Sequence, residues 1–342
     1  ITIPYDDFIN KRFGQLLSVI HTYPGVTKTM FSSMIDSIIY TLPKNNAIIF
    51  ENQGINELLD GRKVFVANNF PFYMRTELKT KSVECRKIAD LSLNPIDIVE
   101  FWIRIFMSDP VLAFLGLYHI CSLFCHMFAE IGLTIHEFLI VGASKDFSEN
   151  EAAAILATND IEAFPVANLE SSVDIVNEEI KLVKDGVVFF KDHSFVDQKA
   201  KNEEKLRHLI RYRRNDLNDL DPSRNLLAVY SDNAGFIAPK IAPDNVIYVP
   251  TEGVKLSVDT TLLRNTVELM DSWVINIMLH NYDSIRNMFL DKLFKMQSID
   301  YKIGDKPMKD TLKAMIMVES FCKTYLNISV IDNKENRKFI LE

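Results

Sequence analysis

One stretch constrains this chain more than any other: HEFLIVGASKDFSENEAAAILAT, His136 to Thr158. Phe138 to Val141 is an apolar run of strand type, Gly142-Ala143-Ser144 breaks it, and Glu149 to Ala157 reads as an alanine-rich helix. Strand, turn and helix in that order make the frame of a phosphate-binding loop, where backbone N–H groups and a helix N-terminus cradle an anion. A working loop reads G-x-x-x-x-G-K-[ST], with glycine for close approach, lysine for the phosphates and a hydroxyl for Mg²⁺. Counting from Gly142, those last three places hold Phe147, Ser148 and Glu149. The phenyl ring is expected to block the approach, and a carboxylate to lie where a phosphate would. Lys145 is the one basic residue nearby, at a different offset. The frame reads as kept and its chemistry as lost.

A second signal is GVVFFKDH, Gly186 to His193. Four consecutive apolar β-formers make a strand buried on both faces, and an acidic pair at such a strand's end is the Mg²⁺-side partner of a phosphate loop. Here one acid remains, Asp192, with Lys191 or His193 in the companion place; Lys191 could pair with Asp192 where a metal would otherwise sit. The degenerate nucleotide-binding candidates are therefore Gly142, Ser144, Lys145, Ser148 and Asp192. Asp192, His193 and Ser194 form a triad in composition only, because neighbours on a strand end cannot stack as nucleophile, base and orienter.

Asn225 to Tyr230 and Val246 to Val249 are further buried-strand runs, and Phe164 to Ala167 is a shorter candidate. Strands separated by helical stretches predict a parallel sheet with crossover helices. Those stretches include Pro95 to Phe106, Asp109 to Ile131, Ser171 to Lys184, one or two long helices from Asp259 to Phe294, and Lys309 to Tyr325. Ile328 to Ile331 could close the sheet. Upstream, Ile1 to Leu42 reads as helical. Ala47 to Phe50, Glu57 to Leu59 and Lys63 to Ala67 are short β-type runs, with a hairpin turn at Asp60-Gly61. Polar Thr76 to Asp90 is the expected linker. The division is then residues 1–90, a small N-terminal α+β module with its linker, and residues 91–342, an α/β domain with C-terminal helices.

The balance of 46 acidic to 38 basic residues gives a net charge of −8, so the whole-protein field does not attract nucleic acid. A local patch could. Arg207, Arg211 and Arg214 fall on one face of a helix spanning residues 202–214, opposite Leu206, Leu209 and Ile210. That helix could dock on a sheet and offer guanidinia to the phosphate backbone of DNA. It could equally be a solvated face neutralised by Asp216, Asp219 and Asp221. Four scattered cysteines suit reduced thiols and a cytoplasmic setting. Pro110 to Ala129 is long enough to span a bilayer, but His119, Cys121, Ser122, Cys125 and His126 interrupt it and Asp109 and Glu130 flank it. A buried helix is expected, and no membrane. Cys121 and Cys125 share a helix face while His119 and His126 point elsewhere, so no metal site is expected there. No signal peptide opens the chain; it starts at Ile1 without methionine, as a processed or excised piece would.

The order of these elements resembles the helicase-like P-loop ATPases of phages and integrated mobile elements, a bacterial domain of unknown function. The likeness runs over nearly the whole chain. Gly54-Ile55 stands before the Asp60-Gly61 turn, PVLAFLGLYHI from Pro110 is similar to the family's leucine-rich helix, and VGASKDFSEN, Val141 to Asn150, holds the place of its phosphate loop. IVNEEIKLVKDGVVFFKDH from Ile175 is similar to its helix and acid-tipped strand. The arginine-bearing helix, Leu226 to Tyr230 and Val246 to Val249 complete the order. The resemblance implies a parallel-sheet P-loop NTPase-like core of RecA/AAA type. With its departures at the catalytic positions, it implies a non-hydrolysing paralogue acting as a structural or regulatory partner in a replication or mobile-element complex. The expected partners are another protein or a second copy, and DNA phosphate through residues 202–214, with no cofactor. An active ATPase using Lys145, with ATP and Mg²⁺, is the alternative; a phage or element structural protein with no nucleic-acid role is the second.

Overall fold

In this computed structural model the structure describes residues 54–58, 61, 63–67, 70–72, 95–133, 135, 138–157, 167–168, 180, 183–192, 203–207, 225–232, 246–296 and 306–341. Contacts divide the chain into Ile1–Ile49 and Phe50–Glu342, and every described residue belongs to the second unit.

Four of the apolar runs form strands, β4 (Phe138–Gly142), β6 (Val187–Asp192), β7 (Leu226–Ser231) and β8 (Val246–Val249), and β5 (Ala167–Asn168) includes the last residue of the expected Phe164 to Ala167 strand, whose first three residues lie outside the described residues. All neighbours pair in parallel, in the order β5-β6-β7-β4-β8. Near-continuous apolar sequence is what a parallel sheet requires, since its strands are covered on both faces. The register lines up Gly142, Ser231 and Asp192 across three adjacent strands at their carboxyl ends. That edge is where open α/β sheets bind their ligands.

Helices α1 (Pro95–Phe106), α2 (Pro110–Ser122) and α3 (Cys125–Glu130) precede β4, and α4 (Glu149–Leu156) follows it. α2 is buried from Val111 to Ser122, starting at Pro110 with the Asp109 carboxylate accepting from Val111 N at 2.8 Å. The continuous helix expected from Asp109 to Ile131 breaks at Leu123-Phe124. There the amides close back on the carbonyls of Ile120 and Cys121 three residues earlier, at 3.2 and 3.1 Å. Among the described residues no helix is long and apolar enough to cross a membrane. Gly116 lets α1 close on α2: a Cβ there would lie 2.7 Å from the Phe106 ring and 2.9 Å from Trp102.

After β8 come α5 (Thr260–His280) and α6 (Tyr282–Met296), two helices broken at Asn281, then α7 (Lys306–Phe321) and α8 (Lys334–Leu341). The closing strand expected at Ile328 to Ile331 is absent. The amides of Val330 and Ile331 and the Ser329 hydroxyl bond the buried Glu319 carboxylate at 3.0, 3.2 and 3.1 Å, which leaves those amides unavailable to a ladder.

The hairpin is present, with its second strand where expected and its first strand starting three residues earlier. β1 is Gly54–Glu57, not Glu57 to Leu59; it pairs antiparallel with β2 (Lys63–Ala67), which pairs with an unexpected β3 (Phe70–Phe72). Leu58 belongs to the turn instead, its carbonyl accepting from Gly61 N at 2.9 Å, with Gly61 at φ +81°. Asp185 anchors β1. Its carboxylate accepts from Ile55 N at 2.8 Å and also from the amide of His126, the second residue of α3. Glu130, at the end of α3, gathers Lys63 at 3.0 Å, His126 at 3.2 Å, the Tyr282 hydroxyl at 2.8 Å and Arg286 at 3.6 Å. Burial opposes ionisation there, but the hydrogen bonds from Lys63 and Tyr282 hold the Glu130 carboxyl below its usual range. The N-terminal sheet is thus tied to α3 and α6 by polar side chains as well as packing. The helices expected at Ile1 to Leu42 and Ser171 to Lys184, the strand at Ala47 to Phe50 and the Thr76 to Asp90 linker lie outside the described residues, apart from single positions.

Candidate functional site at the carboxyl edge of the sheet

Loop 143–148 leaves β4 at Gly142 and enters α4 at its cap, Ser148. The Ala143 amide donates to the Ser231 carbonyl at 3.0 Å, continuing the β4–β7 ladder by one residue. The Ser144 hydroxyl accepts from the amides of Asp146 and Phe147 at 3.2 and 3.1 Å, an ST-turn that curls the loop on itself. Ser144 also donates to the Thr251 carbonyl at 3.1 Å. In return the Thr251 hydroxyl donates to the Gly142 carbonyl at 2.6 Å, and Gly253 N donates to the Asp146 carboxylate at 3.1 Å. The loop is therefore stitched to the turn after β8. Gly142 sits under Tyr248, whose hydroxyl oxygen would lie 3.0 Å from an added Cβ.

At the helix entrance Ser148 and Glu151 form a capping box. The Glu151 carboxylate accepts from Ser148 N at 2.6 Å and from the Ser148 hydroxyl at 2.7 Å, while Glu151 N bonds that hydroxyl at 3.4 Å. Across the loop, Lys191 Nζ lies 3.6 Å from Glu149. Asp192 is fully buried and accepts from the Ser231 hydroxyl at 2.7 Å. Burial pushes the Tyr230 hydroxyl above its ordinary pKa, and the carboxylates of Asp232, Glu149 and Glu151 push it further. Its proton goes to the Phe147 carbonyl at 2.9 Å.

Three expectations change. Phe147 does not stand in the path of a ligand: its ring is 0 % exposed, because an apolar ring gains more from the core beneath the loop than from the crevice. The carboxylate on the Ser148 amide is that of Glu151, not Glu149, because the capping box needs an acid three residues after the cap. Lys191 pairs with Glu149 rather than Asp192; successive side chains on a strand point to opposite faces, so Lys191 and Asp192 diverge. Of the other candidates, Gly142, Ser144 and Ser148 come together in the loop. Lys145 is exposed. Among the described residues no cluster of His, Cys, Asp and Glu could hold a metal ion.

The arginine face is described only at its start. Residues 203–207 are helical, Leu206 is buried, and Arg207 lies 3.4 Å from the Glu203 carboxylate. Arg211 and Arg214 lie outside the described residues, as do His193 and Ser194. Sequence reasoning missed Thr251, Ser231 and Tyr230. Ser231 and Tyr230 end a recognisable strand, and Thr251 follows another by two residues, so the strand-end rule could have found them.

An open parallel sheet in the order β5-β6-β7-β4-β8, with a strand–loop–helix unit at β4 beside its central strand, is consistent with an α/β core of the NTPase-like kind. A solved structure is similar to this chain: "SCCmec type IV Cch - active helicase", a mobile-element helicase, superposes with a TM-score of 0.53 at 12% identity over 90% of this chain. At that identity the likeness shows a helicase-like fold. This chain spans 62% of that neighbour's length. No protein-family model and no curated protein matches the chain.

Proposed function

We propose that this chain is a non-hydrolysing paralogue of a helicase-like P-loop protein, serving as a structural or regulatory partner in a replication or mobile-element complex. One observation carries the reading: the chain's own Glu151 carboxylate bonds the amide of Ser148 at 2.6 Å, at the helix entrance where a phosphate would be cradled. A tethered carboxylate competes at high effective concentration with any ligand from solution. Asp146 and Glu149 add charge of the same sign, and Lys191 is engaged by Glu149. The Asp192 carboxylate takes its hydrogen bond from Ser231. These groups do not fit a triphosphate with Mg²⁺, which needs cations and open amides at the loop. The helicase-like fold of the neighbouring structure supports the setting. DNA contact, through Arg207, Arg211 and Arg214, would be to backbone phosphate.

Calorimetric titration with ATP, with and without Mg²⁺, tests the reading. The expected result is no saturable heat at micromolar nucleotide. Micromolar binding abolished by Lys145→Ala would establish the active ATPase instead. Titration with an oligonucleotide across a salt series tests the DNA half, which is lost if no binding occurs even at low salt.

A further inference from the structure

α4 has two ends. One enters from the loop at Ser148, and the other, at Leu156, reaches a buried histidine on α2. His119 is 3 % exposed, and its Nε2 lies 2.8 Å from the Asp271 carboxylate on α5. Its Nδ1 is buried without a hydrogen-bond partner, while the Leu156 backbone at the end of α4 favours the protonated ring. The surroundings are otherwise apolar: Trp102 and Phe106 from α1, Ile155 from α4, Val267 and Met270 from α5, with space too narrow for a water molecule. Asp271 is therefore the one titratable group that the described parts of α1, α4 and α5 turn toward this imidazole. Glu268, one turn earlier on α5, is bound by Arg264 at 3.0 Å on the exposed face.

We propose that His119 and Asp271 form a protonation-sensitive latch that holds α4, and with it the loop at its far end, against α2 and α5. The imidazolium suits this place. It meets a full negative charge at Nε2, and it lies near the carboxyl end of α4, where the helix dipole is negative and favours a positive charge. A neutral imidazole keeps at most the Nε2–H donation to Asp271 and loses the charge attraction to that carboxylate and to the end of α4. Burial alone would depress the histidine's pKa; Asp271 overcomes it and carries the pKa above 6.5. The sign follows. A folded pKa above the unfolded one gives a stabilising contribution that is complete below about pH 6.5 and is lost as pH rises through the folded value. The latch is closed in acid and loosens toward alkaline pH. It does not depend on what the loop binds.

The test is a proton–carbon NMR titration of histidine-labelled full-length chain, with His119 assigned by His119→Gln, together with amide exchange in α4. The wild type should show a His119 midpoint above 6.5, moving below 6.5 in Asp271→Asn. Exchange protection of α4, corrected for intrinsic rates, should fall as pH crosses the midpoint, and that dependence should vanish in Asp271→Asn. Should His119→Gln fail to fold, the resonance that shifts in Asp271→Asn makes the assignment. A midpoint at or below 6.5, a midpoint that ignores Asp271→Asn, or α4 protection that is flat across the titration overturns the proposal.

Discussion

The two ends of β6 each carry a buried aspartate, and the two are held differently. Asp185, two residues before the strand, gives its carboxylate to backbone amides from β1 and α3, elements far away in sequence. Asp192, the last residue of the strand, accepts from the hydroxyl of Ser231, its register partner on β7. Both are at most 2 % exposed, so burial alone does not separate the anchor from the candidate site. The donors do. Backbone amides cannot turn away, so an acid facing two of them is part of the architecture. A serine hydroxyl can rotate to another acceptor, so an acid facing it stands at a place the fold can do without. In this molecule the amino edge of the sheet holds elements together, while the carboxyl edge has closed over its own loop.

The largest effect is expected at the amino edge. Asp185→Ala orphans two amides at once and should cost about 2–6 kcal/mol, at roughly 1–3 kcal/mol for each buried unsatisfied donor. Asp185 also sits at φ 51°, which asparagine tolerates, so Asp185→Asn should recover part of the loss. Urea unfolding of the three proteins measures this. If Asp185→Ala unfolds with wild-type midpoint, the contrast between the two edges is wrong.

Asp192→Asn comes next, with a smaller loss. The amide oxygen still accepts from Ser231, and the expected cost is about 1 kcal/mol, the net value of one hydrogen bond. The same variant sharpens the functional comparison. A Mg²⁺ ligand replaced by asparagine would take metal-dependent nucleotide binding with it, whereas an acid that only braces Ser231 leaves the calorimetric trace unchanged. Loss of an Mg²⁺-dependent heat on Asp192→Asn would return the carboxyl edge to catalysis.

Much of this was readable in the chain. Strands β4, β6, β7 and β8 announced themselves because a parallel sheet buried on both faces demands unbroken apolar runs. The Pro95 to Phe106 helix had a proline start and a helical period. What escaped reading depended on partners far away in sequence. Nothing local says that the amides after Asn327 will turn to Glu319 instead of a strand, or that Asp185 reaches Ile55 across 130 residues. At the site, the sequence reading expected a carboxylate at the loop but placed it two residues too early, at Glu149 instead of Glu151. An alignment to a phosphate loop counts from the glycine, whereas the capping box counts from the serine. The burial of Phe147 in the core likewise depends on elements distant in sequence.

The smallest effect is expected at Lys191. Its ammonium lies 3.6 Å from Glu149, and both side chains are roughly a quarter to a third exposed, so solvent screens the pair. Such pairs contribute about 0–1 kcal/mol, and Lys191→Ala should fall in that range and shrink further in high salt. The direction of a second reading decides what the lysine is for. Were Lys191 waiting for a phosphate, removing Glu149 would free it, and Glu149→Ala would gain affinity for inorganic phosphate that the Glu149→Ala, Lys191→Ala double variant lacks. Were it only the partner of Glu149, the two single losses and the double loss would be nearly equal in a thermodynamic cycle, with no phosphate binding in any of the proteins. The second outcome is expected, because Glu151 remains on the Ser148 amide, and Asp146 keeps its negative charge in the loop, whether or not Glu149 is present. Thermal unfolding of the four proteins at low and high salt, with and without phosphate, distinguishes the two.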